Sequence, residues 1–202
     1  MRWISIMLLW AGAATADPAE RVAAAANAAF AEMPRLRTVS EIAGNCGADE
    51  TVNPNVAYCT SQNVIFITRQ ARSSPQAAYF TAHSFGHAVQ VRHGVADFAL
   101  SEIRNRRSEE ALLRGLVERQ VDCIAGFLMA RAGLPKASLT DWFAEDPFYD
   151  VHWGRNPLRI GPVIGVDLAA RAQWFDIGQG GDLAACGPGE FTADLLLEAL
   201  RG

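Results

Sequence analysis

The chain has 202 residues, of which half are hydrophobic and a fifth are charged, and its formal net charge is −4. A chain of this length and composition can bury a substantial core within one globular domain. The slightly negative charge, without a long run of lysine or arginine, gives no indication of a nucleic-acid partner.

The first sixteen residues have the pattern of an export signal. Met1 and Arg2 form a short basic start, residues 3–13 are apolar, and residues 14–16 read Ala-Thr-Ala. This pattern predicts a signal peptide cleaved before Asp17, which leaves 17–202 as a single exported domain, periplasmic or secreted. The apolar run is short for a bilayer and no later run is long enough, so we expect no stable membrane span after cleavage.

The four cysteines agree with an oxidising compartment, where an even count indicates disulfides. Cys46 and Cys59 bracket a short polar loop, and closing a loop of that size stabilises a protein by about 3 kcal/mol. That pairing would leave Cys123 to bond Cys186, although four cysteines allow three pairings and the sequence does not settle among them. No two cysteines have the close spacing of a zinc knuckle, which disfavours a cysteine zinc site.

The first half of the chain is predicted to hold a helix, a loop and a strand. Residues 18–33 are alanine-rich and predict a helix, with Asp17 as its cap and Pro18 in its first turn. Residues 44–54 contain the glycine, asparagine and proline of a loop. Residues 63–68 are rich in β-branched and aromatic side chains and predict a strand.

The remaining elements are predicted to be helices separated by irregular segments. Ser73 or Ser74 is expected to cap a helix that begins at Pro75, runs to about residue 93 and ends at Gly94. Ser108 is expected to cap a second helix. The remaining predictions are a connection over 95–107, that second helix over 109–132, an irregular stretch over 141–165, a helix over 168–178, and a glycine-rich tail with a short final helix.

The helix predicted from Pro75 carries the first candidate site. His83 and His87 are four residues apart on an apolar segment, so both imidazoles lie on one helix face, where they can bind one Zn²⁺. In the metallopeptidase pattern His-Glu-x-x-His the glutamate is the general base, and Ser84 occupies that position here. The alternative is that the histidines are hydrogen-bonded core residues, which is the commoner role of an isolated pair.

The second candidate site lies on the predicted helix 109–132. Glu118 and Asp122 are also four apart and share a face. Two histidines and one glutamate form a standard ligand set for a catalytic zinc, and an acidic residue one turn away can orient a ligating imidazole. The alternative is that both carboxylates face solvent or pair with Arg114 and Arg119.

These two motifs resemble those of the bacterial neutral zinc metallopeptidase family. Residues 83–90 read His-Ser-Phe-Gly-His-Ala-Val-Gln, and the family pattern is His-Glu-Tyr-Gly-His-His-Val-Gln. Residues 118–126 read Glu-Arg-Gln-Val-Asp-Cys-Ile-Ala-Gly, and the family pattern is Glu-Leu-Gln-Ala-Asp-Cys-x-Ala-Gly. Two further matches complete a resemblance over 44–191, namely Cys46-Gly47-Ala48 with Tyr58-Cys59, and Arg171, Trp174, Phe175 and Gly178 followed by Gly181-Asp182 and Cys186.

The resemblance implies a zincin-like α+β fold, mainly helical, with a small sheet next to the metal-site helix. It implies His83, His87 and Glu118 as zinc ligands and Asp122 as their support. Two departures matter for function. The catalytic glutamate of the family falls at Ser84, and a family histidine expected to stabilise the transition state falls at Gly165.

We therefore expect a zinc-binding pseudo-peptidase that binds a peptide or protein without hydrolysing it. Loss of a general base costs about 10²–10⁴-fold in rate. One alternative is an active zinc hydrolase with a substitute base, and another is a structural relic without metal-dependent function. The candidate bases follow the second site in sequence: Asp141, Glu145, Asp146, Tyr149, Asp150 and His152.

Overall fold

The computed structural model describes residues 17–148 and 166–201. The predicted signal peptide, the candidate bases Tyr149, Asp150 and His152, and the departure at Gly165 lie outside these residues. The described strands are β1 Arg35–Val39, β2 Val56–Cys59 and β3 Val64–Thr68. The described α-helices are α1 Pro18–Ala29, α2 Arg69–Arg72, α3 Ala77–Arg92, α4 Val95–Asn105, α5 Glu110–Arg131, α6 Leu139–Trp142, α7 Leu168–Gly178 and α8 Asp194–Ala199. Short 3₁₀ turns lie at Arg107–Glu109 and Leu183–Ala185.

The fold is mixed α and β, mainly helical with one small sheet. The strand order is β1-β3-β2, with β3 parallel to β1 and antiparallel to β2. The central strand β3 is buried at all five positions, because its β-branched and aromatic side chains pack on both faces. This confirms the strand predicted at 63–68 and makes β2 an edge strand within the described part of the chain.

Three glycines let the central helices approach closely. A Cβ atom on Gly86 of α3 would lie 2.9 Å from the carbonyl oxygen of Val121 on α5. A Cβ on Gly126 of α5 would lie 2.1 Å from the Phe175 carbonyl oxygen, and one on Gly178 would lie 1.8 Å from the Cys123 carbonyl oxygen. These contacts bring α3 and α7 against opposite sides of α5 more closely than any larger residue would allow.

Both disulfides are formed, Cys46 with Cys59 and Cys123 with Cys186. The pairing favoured by the short loop is thereby confirmed. Two disulfides are typical of a protein from an oxidising, extracellular compartment. Within residues 17–148 and 166–201, no helix combines the length and apolarity required to cross a membrane.

Several predicted boundaries are also confirmed. The Asp17 side chain accepts a hydrogen bond from Ala19 N at 2.8 Å and so caps α1. Gly94 adopts a left-handed conformation (φ 83°) where α3 ends. The predicted helix 168–178 matches α7, and the short final helix is α8.

Other predictions are wrong, for local reasons. Helix α1 ends at Ala29 instead of residue 33: Phe30 is already extended and Glu32 adopts a left-handed conformation, while Pro34 disfavours helix only at Met33. Helix α3 begins at Ala77 without a serine cap; the Ser74 hydroxyl donates instead to the Ala71 carbonyl oxygen of the preceding helix. Strands β1 and β2 were not predicted, since each has only four or five residues, β1 is largely polar, and the apolar β2 shows no alternation of apolar and polar residues.

The connection predicted at 95–107 is helical. Val95, Ala99 and Ile103 are the buried residues of α4 and recur every four positions, so its apolar face is narrow. Ser108 does not cap α5 but lies within the 3₁₀ turn that precedes it. Both errors follow from the charged residues around 102–110, which form surface ion pairs on helical backbone instead of a loop.

Candidate metal centre

The three residues predicted to bind zinc lie together. His83 and His87 occupy successive turns of α3, and Glu118 faces them from α5. Their ligating atoms all fall within 4.8 Å of one another. The two Nε2 atoms are 3.2 Å apart, while the Glu118 oxygens lie 3.8 Å from His83 Nε2 and 3.6 Å from His87 Nε2. This group could hold a metal ion.

Asp122 lies behind His83, as a supporting carboxylate would. Its Oδ1 is 3.0 Å from His83 Nδ1 and also accepts the Tyr79 hydroxyl at 2.8 Å. Because an ionised carboxylate only accepts, this network assigns the proton of His83 to Nδ1. The Nε2 lone pair of His83 is then directed toward His87 and Glu118, which is the form of imidazole that binds a metal.

Two of the alternative environments considered for these carboxylates, solvent and Arg114, are wrong. Glu118 and Asp122 are 4% and 0% exposed, so neither faces solvent. Arg114 pairs with Glu110 instead. The cation that reaches both carboxylates is Arg171, which comes from α7 and lies 53 and 49 residues further along the chain.

Arg171 is a site residue whose role the sequence alone does not reveal. Its Nη1 donates to Glu118 Oε2 at 3.0 Å and to Asp122 Oδ2 at 2.9 Å. Its Nε lies 2.8 Å from Asp146 Oδ1, a close ion pair that lacks hydrogen-bond alignment. The match of Arg171 to the resembling family was the one available signal, because a contact across 49 residues leaves no trace in local spacing.

Burial and neighbouring charges shift the pKa values of the site. Burial, followed by the charge of His87, lowers the pKa of His83 well below 6.5, and burial also lowers the pKa of His87. Burial raises the pKa of Glu118, but His87, Arg171 and His83 lower it by more, so the net shift is downward. Neutral imidazoles and an ionised Glu118 are the protonation states that metal ligation requires.

The pKa values of Asp122 and Tyr79 are raised, whereas the pKa of Glu118 is lowered. Burial raises the pKa of Asp122, although Arg171 and the Tyr79 hydroxyl act to lower it. Burial, with the nearby charge of Asp122, raises the pKa of Tyr79 well above 10, so the phenol remains a hydrogen-bond donor. The Asp122 carboxylate therefore accepts hydrogen bonds from three donors: the Tyr79 hydroxyl, His83 Nδ1 and Arg171 Nη1.

Ser84 is buried beside the site and lines the same cleft. Its hydroxyl donates to the Phe80 carbonyl oxygen at 3.0 Å, one helical turn back. A hydroxyl whose acidity lies far from neutral pH cannot take a proton from a bound water. The position that carries the general base in the resembling family therefore holds no base here.

The site opens into a cleft of about 450 Å³. One side, termed the helical wall, comprises His83, Ser84, His87, Val91, Glu118 and Arg171 together with Phe148. The other side, termed the sheet wall, comprises 45–48, 52–53, 56–60 and Phe66. Phe148 stacks on the His83 ring at 3.8 Å with an interplanar angle of 13°, so an aromatic surface adjoins the metal-binding atoms.

The described candidate bases do not replace the missing glutamate. The Asp146 carboxylate is engaged by Arg171 and by the backbone N–H of Phe148, so it does not face the ligands. Asp141 lies in the short helix α6, and Glu145 precedes the Phe148 segment; neither lines the cleft.

Comparisons of the chain with protein-family models, with curated proteins and with solved structures found no match.

Proposed function

We propose that this chain is an exported zinc-binding protein, built like a neutral zinc metallopeptidase, that binds a peptide or protein without hydrolysing it. The observation that carries the proposal is the convergence of His83, His87 and Glu118, with Asp122 bonded to the far nitrogen of His83. A structural relic has no need for three converging ligand groups, two buried and one half-buried, in their metal-binding protonation states.

The separations of the ligand atoms support zinc. Ligands at 2.0–2.2 Å from a tetrahedral zinc lie about 3.3–3.6 Å from one another. The two Nε2 atoms are 3.2 Å apart and Glu118 Oε1 lies 3.6 Å from His87 Nε2, both close to that range. The other carboxylate oxygen, Oε2, lies 3.8 Å from His83 Nε2. Zinc, when bound, polarises a carbonyl group and lowers the pKa of a bound water to about 7.

The groups around the cleft support binding instead of hydrolysis. Peptide cleavage needs a base that takes a proton and passes it to the leaving amine, and Ser84 supplies none. The loss of that base alone costs about 10²–10⁴-fold in rate. An active hydrolase with a substitute base remains the competing function, and hydrolysis assays separate the two.

The sheet wall supports a peptide as the bound partner. Within the described residues β2 is the edge of the sheet, and residues 56–60 line the cleft beside the site. An extended peptide can add to such an edge through main-chain hydrogen bonds. The two disulfides and the predicted signal peptide support a periplasmic or secreted setting for this binding.

The test combines metal analysis with hydrolysis. We expect one zinc per chain in the wild type, loss of zinc in His87→Ala, and retained zinc in the control His93→Ala, whose histidine ends the same helix outside the site. We expect no hydrolysis of a general protein substrate by the wild type, with or without zinc. Chelator-sensitive hydrolysis that disappears in His87→Ala would establish the active hydrolase instead.

A further inference from the structure

We infer that Arg171 is a positioning residue that holds Glu118 in its ligating orientation before any metal binds. The inference rests on the proposed metal-binding function. The guanidinium is 1% exposed and bridges the two carboxylates of α5 through one nitrogen, Nη1. Its other side is held by Asp146 at 2.8 Å from Nε and 3.4 Å from Nη2.

The helix contacts explain why Arg171 reaches this point. Glu118, Asp122 and Gly126 recur every four residues and form one stripe along α5. Arg171 and Gly178 are seven residues apart and share a face of α7. Because Gly178 packs against the Cys123 carbonyl oxygen and Gly126 against the Phe175 carbonyl oxygen, the helices lie close enough for the guanidinium to enter between the carboxylates.

Charge shows what this contact does for the site. Glu118, Asp122 and Asp146 converge on a buried point, and a buried carboxylate without a partner is strongly unfavourable. Arg171 places a positive charge at the point where these three carboxylates meet, which offsets their mutual repulsion. The protein alone therefore holds the Glu118 carboxylate beside the histidines, and a metal finds it already in place.

The contact also fixes the orientation of the Glu118 carboxylate. Arg171 Nη1 holds Oε2, which lies 3.8 Å from His83 Nε2, while Oε1 lies 3.6 Å from His87 Nε2. Without this hydrogen bond the carboxylate could rotate away from the histidines at little cost. A lysine retains the charge but lacks the planar fork that contacts three carboxylates at once, so Arg171→Lys removes the orienting contact selectively.

The experiment measures Co²⁺ binding to the folded protein, with visible absorption reporting the coordination. Outer contacts to metal ligands are worth about 10–100-fold in affinity, so we expect Arg171→Lys to bind Co²⁺ that much more weakly and with an altered spectrum. The matched control is Arg106→Lys. Arg106 also contacts three carboxylates, those of Glu102, Glu109 and Glu190, but on the surface, and its variant should bind as the wild type does.

A second variant keeps the inference testable if Arg171→Lys does not fold. Asp146→Asn removes the charge that anchors the outer side of the guanidinium and should weaken Co²⁺ binding at least threefold with the same spectral change. A merely structural Arg171 would lower thermal stability and leave the spectrum and affinity of the folded variants unchanged, which would overturn the inference. Failure of the wild type to bind Co²⁺ would refute the proposed function itself.

Discussion

The helical wall of the cleft carries two imidazoles, a glutamate and an arginine, whereas the described lining of the sheet wall carries no side chain that is charged at neutral pH. The charged groups of the helical wall are buried and bonded to one another across three helices. The sheet wall instead offers small polar groups, apolar side chains and the backbone of an edge strand.

This difference suits the helical wall to metal binding and the sheet wall to peptide binding within one cleft. Buried charges are tolerated only when their partners are fixed, so the helical wall must be rigid and its helices closely packed. A surface that binds an extended chain through backbone groups needs no fixed charges. Variants in the two walls should therefore fail differently, one losing the metal and the other losing the peptide.

Removal of the two disulfides should give the largest changes in the free energy of unfolding, one in each part of the molecule. Cys123–Cys186 closes a separation of 63 residues and ties α5 to the C-terminal region, while Cys46–Cys59 closes 13 residues within the sheet wall. Chain entropy predicts losses of about 4 and about 3 kcal/mol in the free energy of unfolding when each pair is replaced by serine. Urea denaturation of the two double variants measures both.

The zinc affinity of the same two double variants should also differ between the walls. The Cys46→Ser/Cys59→Ser protein should retain zinc, because this bond lies within the sheet wall and the ligands are carried by α3 and α5. The Cys123→Ser/Cys186→Ser protein should lose affinity along with stability, since Cys123 is adjacent to Asp122 on α5. Equal zinc affinity in both variants would show that the helical wall does not depend on its disulfide.

The next largest effect concerns the helix contact that places Arg171. A Cβ atom at Gly178 would lie 1.8 Å from the Cys123 carbonyl oxygen, a contact that only separation of α5 and α7 can relieve. We expect Gly178→Ala to lower the free energy of unfolding by about 3 kcal/mol. Gly115→Ala on α5 is the control, because nothing lies within 4 Å of its Cβ; it should stabilise by roughly 0.5–1 kcal/mol. Thermal denaturation compares them.

The sequence predicted the ligand groups but not the contacts that hold them. His83 and His87, like Glu118 and Asp122, are spaced by one helical turn, so short-range periodicity brings each pair onto one face. The position of Arg171 depends on how α7 packs against α5, and no local pattern encodes that packing. The sequence placed Gly178 in a family motif without showing why glycine is needed there. The close approach of the Cys123 carbonyl oxygen explains it, because a side chain at this position would collide with that oxygen.

The sheet wall was predicted less well, for a related reason. Strand β3 was evident because five consecutive positions are buried and their side chains are β-branched or aromatic. Strand β2 has four residues, and its order comes from pairing with β3, not from its own propensity. Edge strands and cross-cleft contacts therefore had to come from the structure, although the Cys46–Cys59 bond was foreseen from loop length.

Asn53 gives a smaller test, because it links the two walls. Its Nδ2 donates to the Pro147 carbonyl oxygen at 3.0 Å, and its Oδ1 accepts from the backbone of Asn55. Asn53→Asp keeps the acceptor but replaces the donor with a buried carboxylate oxygen that faces the Pro147 carbonyl oxygen, which should cost about 1–3 kcal/mol and loosen the stacked Phe148. Near-ultraviolet circular dichroism and denaturation report both changes. Asn27→Asp, at an exposed donor on α1, should change stability by less than about 0.5 kcal/mol.

The smallest expected effect is the pH dependence of the metal-free protein, which should arise from the helical wall. Burial lowers the pKa values of His83 and His87, and it also lowers the pKa of His93 outside the site. Burial raises the pKa values of Asp122 and Asp146 above 3.8. These two sets of groups act on stability in opposite directions as the pH falls.

The histidines act first on acidification. Below about pH 6.5 the unfolded chain binds protons at these imidazoles more readily than the folded chain does, so the free energy of unfolding should fall from pH 7 toward pH 5. Nearer pH 4 the raised pKa values of Asp122 and Asp146 reduce the loss, whereas the lowered pKa of Glu118 adds to it. Denaturation of chelator-treated protein at pH 7, 6 and 5 measures the slope, and His93→Gln removes the contribution from outside the site. A slope that disappears in His93→Gln would mean that the buried imidazoles of the helical wall do not control acid stability.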